Sequence, residues 1–148
     1  MSVIGKHISS LQTPAFIINQ RQFRENCQEM LDRAQASGVS LRGQTKTHKT
    51  VEGGVLQTGG TRRKIVTSTL VECEMYAEAG FDDILYGFPL LQCHMARVAS
   101  LTSKLDLFHV MVDTMDMCHH LASVSPPQDK QWSVFLKVTG SVPSNYKG

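Results

Sequence analysis

Short apolar, β-branched runs alternate along this chain with longer segments whose apolar positions recur at helical spacing. The runs are Ala15–Ile18, Val39–Arg42, Lys64–Ser68, Asp83–Tyr86, Leu107–Asp113 and Trp132–Val138. Their starts lie roughly 19 to 25 residues apart, the length of one strand, one helix and two connections. Strands that recur at this interval are parallel, because the helix between them returns the chain to the same end of the sheet.

The helical segments carry their own start and stop signals. Phe23, Cys27, Met30, Leu31 and Ala34 repeat as one apolar face. Asn19 is suited to cap the start of that helix and Gly38 to end it in the left-handed conformation. Thr69-Leu70-Val71-Glu72 fits a capping box, and Gly80 closes the helix it opens. Further helices are predicted over residues 90–103 and 115–123, the latter with Thr114 as its cap. Ser125-Pro126-Pro127-Gln128-Asp129 is a loop, since two prolines cannot continue a helix.

A strand–helix series of this kind builds either a doubly wound sheet or part of a (β/α) barrel, and the pattern fits both. In both, chemistry sits at the carboxyl ends of the strands. The candidates are then Thr45, Lys46, Thr47, His48 and Lys49 after the second run, Ser68 and Thr69 after the third, Gly87 after the fourth, and Asp113 and Thr114 after the fifth.

Composition narrows the class. The 148 residues are 41% hydrophobic and 19% charged, which excludes a disordered or low-complexity chain. A formal charge of +2 with no basic cluster beyond Thr61-Arg62-Arg63-Lys64, read as a solvated loop, argues against a nucleic-acid binder. No run approaches the roughly 18 apolar residues of a membrane span, and the start has no signal-peptide core, so the expected compartment is the cytosol. Cys27, Cys73, Cys93 and Cys118 form no CxxC pair and read as small core residues without a disulfide.

The most unusual stretch is Leu41-Arg42-Gly43-Gln44-Thr45-Lys46-Thr47-His48-Lys49-Thr50. It begins as a strand and places Lys46, His48 and Lys49 at its tip, where they can converge on a ligand. A lysine among cationic neighbours in a partly closed site loses its proton more readily, and the free amine can form a Schiff base with an aldehyde. The alternative is a set of surface lysines on a loop. Glu52-Gly53-Gly54 and Thr58-Gly59-Gly60-Thr61 match neither a P-loop nor a GxGxxG fingerprint and read as helix ends and tight turns. His119 and His120 project about 100° apart on a helix, which does not suit zinc, and His94 and His109 read as ordinary residues.

The residues Thr13-Pro14-Ala15, Asn26, Gly38-Val39, Leu41-Arg42, Lys46-Thr47-His48-Lys49-Thr50, Glu52-Gly53-Gly54 and Gln57-Thr58-Gly59-Gly60 resemble the amino-terminal part of eukaryotic D-serine dehydratases. Ser68-Thr69-Leu70, Glu72, Glu74 and Ala79-Gly80-Phe81-Asp82-Asp83-Ile84-Leu85 extend the likeness, which runs from about residue 11 to residue 138. The same family holds D-threonine aldolases and shares the alanine racemase type of pyridoxal-phosphate barrel.

The resemblance implies an α/β fold: a partial (β/α)8 TIM-type barrel of the alanine racemase amino-terminal kind, with about five of the eight strands. It divides the chain into residues 1–38, a strand and helix leading into the barrel, with Ala15–Ile18 in a neighbouring β-rich domain; residues 39–138, the pyridoxal-phosphate-binding part of the barrel; and residues 139–148, an expected disordered tail outside the family pattern. It implies Lys46 as the catalytic Schiff-base lysine and Lys46 and His48 as cofactor-binding residues for pyridoxal 5'-phosphate. The implied reaction is the conversion of D-serine to pyruvate and ammonia, with a zinc ion in the family whose ligands this chain does not carry. A retro-aldol cleavage of the D-threonine aldolase kind, or a non-catalytic chain that associates with full-length subunits, are the alternatives, and the expected partners are a small D-amino acid and a second subunit in a homodimer. One departure stands beside the lysine: the family reads Arg-Pro-His-x-Lys where this chain has Arg42-Gly43-Gln44-Thr45-Lys46.

Overall fold

The computed structural model describes residues 3–138. Five parallel strands form one sheet in chain order: β1 (Gly43–Gln44), β2 (Arg63–Thr67), β3 (Asp83–Pro89), β4 (Leu107–Val112) and β5 (Ser133–Leu136). Sequential order with every neighbour parallel is the barrel-type arrangement, since a doubly wound sheet reverses its order partway. The five strands are those expected from Val39 onward.

Five α-helices accompany them: α1 (Gln20–Ala36), α2 (Val51–Gln57), α3 (Leu70–Glu78), α4 (Met95–Lys104) and α5 (Met115–Ser123). Three starts follow the expected chemistry. The Asn19 side chain accepts the Gln22 amide, the Thr69 hydroxyl the Glu72 amide and the Thr114 hydroxyl the Met117 amide. Glu72 reciprocates toward the chain entering α3 by accepting the Ser68 amide at 2.7 Å. Gly38 and Gly80 leave α1 and α3 at φ +63° and +82°, conformations open to glycine.

The two faces of the sheet differ. Ile65, Ile84 and Phe108 lie in register across β2, β3 and β4 and are at most 4% exposed. With Tyr86, Val110 and Val112 they join Leu70, Cys73 and Tyr76 of α3, Val98 and Leu101 of α4, and Met117 and Leu121 of α5 in one core. The opposite face carries Val66, Leu85, His109 and Ser133 in register, and no helix of the core cluster lies against it.

Several expectations are corrected. Ala15–Ile18 is not a strand: no described strand lies beside it to pair its backbone, and Phe16 is 75% exposed. The pairing expected over Val39–Arg42 falls at Gly43–Gln44. Glu52-Gly53-Gly54 is the first half of α2, with the Thr50 hydroxyl capping the Gly53 amide. A Cβ on Gly53 would come within 2.3 Å of His48 Nδ1 and one on Gly54 within 2.8 Å of Tyr76 Cε1, so both glycines serve close packing. Gly59 and Gly60 do form a turn, at φ +58° and +85°. Thr61-Arg62-Arg63-Lys64 runs into β2, where Lys64 at φ +62° marks the register shift against β3 and Arg63 pairs with Asp82 and Asp106. On the predicted face of α1, Phe23, Cys27, Leu31 and Ala34 are half-buried but Met30 is exposed. All four cysteines are free, Cys93 is exposed rather than in the core, and burial pushes the Cys73 thiol up to about 12. The tail expected over residues 139–148 lies outside the described residues.

Candidate active site at the tip of the first strand

After Gln44 the chain turns sharply. The Thr45 amide and hydroxyl both donate to the Val66 carbonyl, at 2.9 and 3.0 Å, which ties the turn to β2. The Thr45 carbonyl accepts the amides of His48 and Lys49 and closes the turn around Lys46. Lys46 lies in this turn, just beyond the carboxyl end of β1. The Gln44 side chain accepts the Lys46 amide at 3.3 Å.

The structure does not bring Lys46, His48 and Lys49 together. Lys49 reaches α3, where its ammonium pairs with the Glu72 carboxylate at 2.7 Å. Burial pushes the Glu72 carboxyl up, and the Lys49 and Ser68 hydrogen bonds outweigh it, leaving the group below the ordinary carboxylate range. His48 is buried between α1 and α2, edge-on to Phe23. Its Nδ1 accepts the Thr50 amide, so the neutral ring carries its proton on Nε2 and donates to Gln57 Oε1 at 3.1 Å. Gln57 in turn donates to the Gln44 carbonyl. His48 therefore braces the turn through Gln57 and Gln44, and both its ring nitrogens are committed to protein groups. Lys46 is exposed, and its ammonium has no partner among the described residues.

The donor chemistry at this tip fits a carbonyl-bearing cofactor: one primary amine on a braced turn, with no carboxylate holding it as an ion pair. It does not fit zinc, because the described residues contain no group of three His, Cys, Asp or Glu side chains able to hold a metal ion.

Below Lys46, the open face carries a cluster around His109, which on sequence pattern alone reads as an ordinary residue. Arg42 pairs with buried Asp83 at 2.6 Å, and His109 Nε2 lies 3.3 Å from both Arg42 Nη2 and Asp83 Oδ1. Since guanidinium only donates, the neutral His109 ring accepts at Nε2 and donates from Nδ1 to Ser133 Oγ at 2.7 Å. Burial and the Arg42 charge lower the His109 pKa against the pull of Asp83. The signal available in the sequence is His109, a polar residue inside the apolar run Leu107–Val112, whereas Arg42 and Asp83 stand at the margins of their runs. Ser68 and Thr69 follow β2, where expected, whereas Gly87 lies inside β3, which continues to Pro89. Asp113 and Thr114 follow β4, and Thr114 serves as the α5 cap.

No family model matches the chain. It is 37% identical over 143 residues to the D-serine dehydratase of Schizosaccharomyces pombe, covering 91% of this chain and 34% of that protein. With the D-serine dehydratase of Dictyostelium discoideum it shares 34% identity over 88% of this chain and 35% of the relative. Among solved structures, an alanine racemase-like protein from Idiomarina loihiensis superposes with a TM-score of 0.79 at 25% identity, over 89% of this chain and 35% of that one. The D-threo-3-hydroxyaspartate dehydratase of Delftia sp. HT23 superposes with a TM-score of 0.76 at 28% identity, over 86% and 34%. The chain thus spans about a third of the length of the curated relatives it matches. Carrying the parallel strands of an alanine racemase-type TIM barrel, the chain is similar, over about a third of their length, to the D-serine dehydratases and to D-threo-3-hydroxyaspartate dehydratase.

Proposed function

We propose that this chain carries the cofactor-anchoring part of a pyridoxal-phosphate-dependent lyase acting on 3-hydroxy-D-amino acids, D-serine first among them, with Lys46 as the anchoring and proton-transferring residue. The observation that carries the reading is the contrast between two lysines three residues apart: Lys49 is neutralised by Glu72, while the Lys46 amine stands without a counter-ion at the carboxyl end of β1. In this reading residues 39–138 are the barrel part and residues 1–38 lead into it. The partners are a small D-amino acid and a second subunit rather than nucleic acid, and the compartment is the cytosol.

When bound, pyridoxal phosphate supplies an electron sink for the pair left on the substrate's α-carbon. Lys46 Nζ would hold the cofactor at its aldehyde carbon and, once the substrate's amine had taken that place, would be free to take the proton from the α-carbon. Thr45, Gln44 and the His48–Gln57 pair keep the lysine backbone still, so the amine meets its target from one direction. His48 serves here as a positioning residue, bound to the cofactor only through the turn it braces.

Borohydride reduction of the chain incubated with pyridoxal phosphate, followed by peptide mapping, tests the assignment. The label is expected on Lys46, to vanish in Lys46→Ala and to persist in Lys49→Ala. Equal labelling of Lys46→Ala sinks it. The five described strands, with β5 at the outer edge of the sheet and Leu136 67% exposed, favour a second reading, a chain that joins other subunits without turnover. Labelling without pyruvate release from D-serine would point to it.

A further inference from the structure

A second cleft, of about 370 Å³, opens at the amino-terminal end of α3 and shares no lining residue with the Lys46 turn. Its floor holds Tyr86, 3% exposed, whose hydroxyl bonds nothing among the described residues. A phenol placed in this way faces a vacancy that only a ligand or water can satisfy. Burial pushes the Tyr86 hydroxyl up from its usual range, so it keeps its proton and donates.

Three further donor sets line the same cleft. His94 Nδ1 is buried without a hydrogen-bond partner, its ring edge-on to Tyr86. Arg97 binds Glu74 through Nε and Nη2, at 2.8 and 2.7 Å, which leaves Nη1 uncommitted. The amides of Leu70 and Val71 open α3 and are free, because the Thr69 cap takes the Glu72 amide instead. Nearby acids are already spoken for: Glu74 by Arg97 and Glu72 by Lys49 and Ser68. Around these donors stand apolar side chains left in water, with Val71 65%, Phe88 56% and Leu91 49% exposed.

We propose that this cleft binds a small carboxylate with an apolar body: the head takes the Tyr86 hydroxyl, Arg97 Nη1 and the first amides of α3, and the body covers Phe88 and Leu91. Every polar group named is a donor or can become one, which selects an acceptor head. A helix start favours a negative one. The proposal is independent of what Lys46 does.

Benzoate titrated into the 15N-labelled full chain is the test, followed by amide shifts in NMR spectra. Saturable shifts are expected at Leu70 and Val71, with Lys46 unmoved. Tyr86→Phe keeps the ring packed and removes only the oxygen, and Arg97→Gln changes a surface residue. Each is expected to weaken benzoate about tenfold, the worth of one charge-assisted hydrogen bond. Benzyl alcohol, which has the same body without the charge, is expected to bind at least as weakly as benzoate binds those variants. Absence of saturable shifts, undiminished binding in Arg97→Gln, or equal binding of benzyl alcohol overturns the proposal.

Discussion

One sheet presents two surfaces made by opposite rules. The helix-covered face is apolar from strand to strand, with Ile65, Ile84 and Phe108 in register and nearly inaccessible. On the other face, one residue along, Arg42 pairs with Asp83 and donates to His109, which donates to Ser133. The first surface holds the fold through removal of area from water, which any well-shaped apolar side chain can supply. The second holds it through a few directed contacts, and removing Asp83 leaves the Arg42 charge without its counter-ion.

Phe108→Ala breaks the comparison on its apolar side and is expected to have the largest effect, a loss of about 4 kcal/mol from a ring 4% exposed that packs in the centre of the core. Urea unfolding measures it, and a loss below about 1 kcal/mol would mean that the helix layer does not close over the sheet. Asp83→Ala comes next, with about 3 kcal/mol expected from stranding the Arg42 charge. The double variant Arg42→Met with Asp83→Leu sharpens the contrast. If the polar face works by mutual satisfaction, the pair recovers most of what Asp83→Ala loses.

The helix-covered face was legible in the sequence because its strands are continuous apolar runs, and their spacing set strand order and parallel direction. The caps at Asn19, Thr69 and Thr114 were legible for a local reason, since a capping side chain acts within three residues of itself. What failed was non-local. Ala15–Ile18 has strand composition and no neighbour to pair with. Gly53 and Gly54 look like a turn until His48 and Tyr76 are seen against them. At the candidate site, the Lys46 position was legible from the strand-end rule, whereas its separation from Lys49 was not. That depends on Glu72, 23 residues downstream and brought over by α3.

Gly53→Ala tests how tightly the Lys46 turn is braced. A methyl group within 2.3 Å of His48 Nδ1 must displace the ring and break its bond to Gln57, with an expected cost of about 2 kcal/mol. Ala favours helices over Gly, so a stabilised variant would show that the ring moves freely and that the brace does not exist. Borohydride labelling of Lys46 is expected to fall in this variant while the fold persists.

The smallest effect is a pH dependence that separates the two surfaces without altering a core residue. His109 in the folded chain has a pKa below its usual 6.5, because burial and Arg42 disfavour the charged ring. Above 6.5 the ring is neutral in both folded and unfolded chains and pH has no effect through it. As pH falls below 6.5 the unfolded chain takes the proton first, so stability declines until the lower folded value is reached. Glu72, held below its usual 4.5, adds a second decline that starts only under that value. Thermal unfolding between pH 8 and pH 4 should therefore show a gentle loss beginning near 6.5 in the wild type. His109→Gln, which cannot titrate, is expected to remove that first loss and keep the second. A first decline that survives in His109→Gln would assign it to another histidine, and the polar face would then contribute no pH dependence above 4.5.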